Sequence, residues 1–129
     1  MIEYSLIFAK SKYDIDKSFI DPWSGNHAAS GLLLGILNFS NISIIYFAIL
    51  WEIIENSPLG KIIWDTFALY NYKGDTLVNI ISDIMFVIYF SQISKKNNNI
   101  KSISLIFFCL IYHKSYDLLL EYLDITKLN

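Results

Sequence analysis

The feature that most constrains this chain is a set of carboxylates and amides embedded in sequence apolar enough for a bilayer. Trp51-Glu-Ile-Ile-Glu-Asn-Ser-Pro58 carries Glu52 and Glu55, and Gly74-Asp-Thr-Leu-Val-Asn-Ile-Ile-Ser-Asp83 carries Asp75 and Asp83. An ionisable group inside a membrane helix costs several kcal/mol or so, and it persists where it faces a bundle interior and performs a task. On a helix, Glu52, Glu55 and Asn56 share one face, and Asp75, Asn79 and Asp83 share another. Two polar stripes on two apolar helices predict the halves of one buried site.

The rest of the chain agrees with a membrane setting. Hydrophobic residues make up 54% of 129 residues while charged residues make up 17%, more apolar matter than a soluble domain of this size needs. The mean hydropathy is +0.42. The formal charge of -2 provides no basic field, which excludes nucleic acid as a partner class. One cysteine, Cys109, excludes a disulfide framework or a cysteine metal site within the chain. Arginine is absent while Ile, Asn, Lys, Phe and Tyr abound, the bias of an AT-rich genome. The expected place is a bacterial or organellar inner membrane, with membrane lipids as partners. Other membrane subunits are the alternative partners.

Hydrophobic runs and punctuation predict an all-α, polytopic transmembrane bundle of about four helices, near 24–39, 42–57, 75–94 and 102–123. All 129 residues form one membrane domain, and residues 1–23 make an interfacial segment whose apolar start is too short for a signal-peptide core. Pro58-Leu-Gly60 breaks the second helix and 57–75 reads as a loop. Asp75 stands where an N-cap or first-turn acid is favoured. The helices of the two stripes, the second and third, are expected at the centre. Gly31-x-x-x-Gly35 on the first helix permits close packing. Tyr46, Trp51, Trp64, Tyr70 and Tyr72 suit an interfacial aromatic belt, and Asp117, Glu121 and Asp124 with Lys114 suit a solvated end to the last helix. Lys95, Lys96 and Lys101 cluster without an acid beside them, which places the 94–102 loop on the cytoplasmic side and the polar site toward the other.

Motifs add a resemblance. Trp51-Glu-x-x-Glu-Asn-Ser-Pro58, then Tyr72-Lys-Gly-Asp-Thr-x-x-Asn-x-x-Ser-Asp83, resembles the signature of an uncharacterised integral membrane family found mainly in alphaproteobacteria, itself similar to the VanZ-like group. Asp21-Pro-Trp-Ser-Gly-Asn-His27-Ala-Ala-Ser30-Gly31 resembles the family's upstream D-W-Y-S-x-S-H-x-x-H-G element. The likeness covers Asp21 to Asp83 in order and spacing. Ser30 replaces the second histidine of the pattern, and Thr76 and Ile80 replace serines. The resemblance implies a membrane protein with a polar site and leaves the reaction open.

Three uses fit those residues. As an enzyme, Glu52 and Asp75 are the candidate catalytic pair, one carboxyl group holding a proton while its neighbour acts as base on a lipid-linked substrate. No serine near them (Ser24, Ser57 or Ser82) carries a nucleophile motif. As a metal site, His27, Glu52, Glu55 and Asp75 offer one nitrogen and several oxygens to a divalent cation. As a ligand site or network, His27, Glu55, Asn56, Asn79 and Asp83 converge with them. The competing reading is an accessory subunit of a larger, respiratory-type assembly, in which the polar cluster only locks the helices together.

Overall fold

The computed structural model of the protein describes residues 7–67 and 72–126, and within these the chain forms five α-helices and no β-strand. They are α1, Ser24–Ile36; α2, Asn41–Glu55; α3, Pro58–Phe67; α4, Leu77–Lys96; and α5, Asn99–Thr126. The bundle is helical, as its periodicity predicts. Tyr70 and residues 1–6, part of the predicted belt and interfacial segment, lie outside the described residues.

Short polar side chains set the helix starts. Ser40 caps α2 by accepting the Ser43 N–H at 3.1 Å, and Asn98 caps α5 by accepting the Lys101 N–H at 2.9 Å. Thr76, not Asp75, caps α4 by accepting the Asn79 N–H at 3.3 Å. Asp75 is thereby left one residue outside the helix, and its side chain turns to another use. The 57–75 stretch is also not all loop, because α3 occupies Pro58–Phe67. Ser57 accepts the Gly60 N–H at 3.1 Å and Pro58 stands first in the helix, where its missing N–H costs nothing. The proline that ends α2 therefore begins α3, and the two axes meet at 75°.

Polarity runs inside out. Ser24, Glu52, Asn79, Ser82, Asp83 and Ser91 are buried, while Ile42, Tyr46, Ile53, Tyr89, Phe107 and Phe108 are exposed. That distribution suits lipid, where the apolar surface needs no cover and polar groups must find partners within the bundle. Among the described residues two helices, α4 and α5, are long and apolar enough to cross a membrane, and the bent α2–α3 pair makes a third if counted as one span. This is the architecture of a membrane protein. The predicted count of about four drops to two or three because α1, with 13 residues, rises only about 20 Å against a hydrocarbon core of about 30 Å.

The centre also differs from the prediction. Instead of the helices of the two polar stripes, α1 and α4 form the main pair, with α5 on the other side of α1 and α2 on α4. The cause is backbone proximity. A Cβ on Gly31 would lie 2.3 Å from the Val87 carbonyl oxygen, and one on Gly35 would lie 2.6 Å from that of Ser91. With no hydrophobic drive between helices in lipid, such close contact gains dispersion energy that bulkier residues forfeit.

Residues 7–22 fold over one end of the bundle. The segment closes on itself through Ala9 N–H to Ile20 O (2.9 Å) and Ile20 N–H to Ile7 O (2.7 Å). It is tied to α4 by Thr76 Oγ1 donating to Lys17 O at 3.0 Å, and to α5 by Tyr116 OH donating to Ala9 O at 2.6 Å. At the far end of α5, Asp124 accepts the Lys12 N–H at 2.8 Å, and Glu121 pairs with Lys12 at 3.7 Å. That part of the predicted solvated face is docked against the N-terminal segment. The turn around Asn38 and the joint before Asn99 lie at the opposite end, where Lys95 Nζ donates to Asn41 Oδ1 at 2.6 Å.

Candidate functional site

The seven residues singled out from the sequence fall into three adjoining groups. The first is His27 on α1 with Glu52 and Glu55 on α2 and Asp83 on α4. His27 Nδ1 is 3.9 Å from Glu52 Oε1, and His27 Nε2 is 3.6 Å from Asp83 Oδ2. Both are longer than a hydrogen bond, so the ring stands between two acids without bonding to either. One donor atom each from His27, Glu52 and Glu55 lies within 4.8 Å of the others. Ligands about 2.1 Å from a shared ion stand roughly 3–4 Å apart, a gap that small rotations of these side chains close. Glu52 is 5% exposed and Asp83 is 2% exposed, yet among the described residues Glu52 Oε2, Glu55 Oε2 and Asp83 Oδ1 have no hydrogen-bond partner. Buried carboxylate oxygens are costly without a partner, so this group is chemically incomplete as a self-contained network.

The second group is Asn56 with Asp75. Asp75 Oδ2 accepts from Asn56 Nδ2 at 2.7 Å and from Tyr72 OH at 2.6 Å, and the Asp75 N–H donates to Asn56 Oδ1 at 2.7 Å. Gly74 makes this possible. Its φ of +95° is open to glycine, and a Cβ there would meet Lys61 Nζ at 3.1 Å and Asn56 Oδ1 at 3.2 Å. Burial raises the pKa of Asp75 above its ordinary value, against the hydrogen bonds from Tyr72 and Asn56 and the nearby charge of Lys61, which lower it. Burial, and then the bond to Asp75, raises that of Tyr72. Asp75 is thus absent from the group of possible metal ligands; Asn56 and Tyr72 occupy its oxygen.

The third group is structural. Asn79 Nδ2 donates to Ser18 O at 2.9 Å and to Asp21 Oδ2 at 3.4 Å. Asp21 Oδ1 in turn accepts the Trp23 and Ser24 N–H groups at 2.8 and 3.1 Å, fixing the start of α1. Its Oδ2 also accepts the Asp16 N–H at 3.0 Å. Burial raises the pKa of Asp21 in spite of these backbone bonds. Asn79 therefore anchors the N-terminal segment and orients no acid of the first group.

Beside the first group lies a cavity of about 460 Å³, because α1 and α2, consecutive in the chain, barely touch each other. Its polar end is lined by Asn26, His27, Glu52 and Glu55, with Trp23 and Trp64 beside them. Trp51 and Trp64 interact with the Glu55 carboxyl group. The other end is lined by Leu33, Leu34, Phe47, Ala48 and Val87. No known family's sequence profile, no curated protein and no solved structure matches the chain.

Sequence reasoning missed Asp21, Tyr72 and Trp64 as members of the polar system. Asp21-Pro22 before a helix signals an Asx cap, and that signal was available. The bond between Tyr72 and Asp75 was not, since it depends on the Gly74 turn. His113, the second histidine, bonds through Nδ1 to Pro22 O at 2.9 Å and stays outside the first group.

Proposed function

We propose that this protein is a small membrane protein that binds a divalent cation in a buried site formed by His27, Glu52 and Glu55. The observation that carries the reading is Glu52, buried with its Oε2 unpartnered among the described residues and with a carboxyl oxygen within 4.8 Å of a His27 nitrogen and a Glu55 oxygen. Two deprotonated carboxylates and one neutral imidazole would balance a divalent charge, so the ion would sit in the bundle as a neutral complex. One nitrogen with carboxylate oxygens suits zinc, manganese or iron. Asp83, facing the other ring nitrogen of His27, is placed to take its N–H and set the tautomer, as carboxylates behind a metal-bound histidine do.

Membership of the uncharacterised membrane family whose motif these segments resemble is part of this proposal. The lysines Lys95, Lys96 and Lys101 lie at the opposite end of the bundle from the site, which supports a site toward the non-cytoplasmic face under the positive-inside tendency. In an accessory subunit of a larger assembly the cluster would serve as a helix lock. A lock needs closed hydrogen bonds, and three of these carboxylate oxygens have none.

The test is calorimetric titration of zinc into chelator-stripped protein in lipid nanodiscs. One zinc per chain is expected. Glu52→Gln, Glu55→Gln and His27→Gln should each weaken binding beyond the roughly 10–100-fold typical of losing a residue that only supports a ligand, with helical circular dichroism retained. Affinity unchanged in all three, or no zinc bound by the wild type, would refute a metal site here.

A further inference from the structure

The cavity between α1 and α2 changes character along its length. α1 contributes Trp23, Asn26, His27, Ser30, Leu33 and Leu34, residues three or four apart that form one stripe about 16 Å long. α2 runs antiparallel to it, with Glu52 and Glu55 opposite His27 and with Phe47 and Ala48 opposite the leucines. One end is thus acidic and hydrogen-bonding, the other wholly apolar. Leu33, Phe47, Trp51 and Ile54 on its rim are half-exposed on the face that meets lipid. A polar head of limited size bonded to a long apolar chain matches such a gradient, whereas a soluble polar ligand would leave the leucine end unused.

We infer that the α1–α2 cleft holds an amphiphile with an anionic head, whose oxygen completes the coordination of the cation held by His27, Glu52 and Glu55 while its alkyl chain lies over Leu33, Leu34 and Phe47. The inference rests on the cation reading and adds the ligand class. Three protein ligands leave a divalent ion an open position, and an anionic oxygen is the donor a lipid head can bring. Without the ion the cleft holds no positive charge to offset an anionic head, so binding of the amphiphile depends on the metal. The volume of about 460 Å³ falls within the range of small-molecule sites.

All three tryptophans of the chain line this cavity, so intrinsic fluorescence reports on it directly. Protein is reconstituted in phosphatidylcholine vesicles that contain tail-brominated phosphatidic acid, tail-brominated fatty acid or tail-brominated phosphatidylcholine, each with zinc or with chelator. Quenching by the phosphatidic acid or the fatty acid should saturate at low mole fraction with zinc, and the one that does so identifies a phosphate or a carboxylate head. Chelation should weaken that quenching by about tenfold or more. Ser30→Phe, at an exposed position on the cleft wall, should abolish the zinc-dependent part while zinc affinity measured in phosphatidylcholine alone stays at the wild-type level. If it also alters zinc affinity, Leu33→Gln, one turn further from His27, takes its place with the same expectation. Normal zinc binding with quenching linear in mole fraction, and equal for all three lipids, would overturn the amphiphile and leave the cation reading intact. Saturable quenching without zinc binding would overturn both.

Discussion

Substituting Gly31 by alanine isolates the contact that organises the bundle. On an open helix face the change should stabilise by about 0.5–1 kcal/mol, because alanine loses less backbone entropy than glycine. At this position the new methyl carbon would lie 2.3 Å from the Val87 carbonyl oxygen and 2.9 Å from Val87 Cα. Ordinary contact begins near 3.4 Å, so α1 and α4 must separate by about 1 Å. The obstructing atoms are backbone and cannot rotate aside. Overpacking of a tight interface costs about 1–3 kcal/mol, and a backbone-to-backbone clash belongs at the upper end. The net effect is then a loss of about 1–2 kcal/mol after the propensity gain. His27 lies one turn from Gly31 and Asp83 one turn from Val87, so the same displacement widens the 3.6 Å approach of the two side chains. The assay is reversible unfolding in mixed micelles followed by circular dichroism, with zinc affinity measured on the same sample. Ser30→Ala, on the exposed side of the same turn, serves as the control and should change stability by less than about 0.5 kcal/mol. If Gly31→Ala were as stable as the wild type, close α1–α4 packing would not be what holds the fold.

Two further outcomes follow from the polar groups. The raised pKa of Asp75 means that the folded state holds its proton more tightly than the unfolded chain, whose value is near 3.8. The corresponding stabilisation is fully present below that value and is lost as pH rises through the folded one; Asp75→Asn, measured with chelator present, should therefore show a smaller fall in stability as pH rises above about 3.8 than the wild type. An unchanged pH profile would remove Asp75 from the titrating groups. Asp83→Asn should weaken zinc binding by about 10–100-fold without abolishing it, since it acts through His27, and a complete loss would instead make Asp83 a direct ligand.

The sequence by itself determined the class of protein and the chemistry available to it. Apolar runs interrupted by Glu52, Glu55 and Asp83 are costly in lipid unless those groups meet inside a bundle, so an all-helical membrane architecture with an acidic interior was legible from residue order alone. Helical periodicity also places Glu52 and Glu55 on one face, whereas the approach of His27 from α1 is a tertiary contact. What the tertiary structure decided was which polar groups are satisfied locally and which are left open. Asp75 has the same composition and spacing credentials as Glu52, but the turn at Gly74 hands its oxygen to Tyr72 and Asn56, contacts that no periodicity encodes. Asn79 shares a helix face with Asp83, yet the strap of residues 7–22 reaches it first through Ser18 and Asp21. Pro58 reads equally as the end of one helix or the start of the next, and only the cap formed by Ser57 made it both. The cavity depended on α1 pairing with α4 instead of with its neighbour α2. That pairing is a choice between two surfaces, made by the backbone contact that Gly31 and Gly35 permit, and a one-dimensional pattern does not say which partner a glycine face will meet.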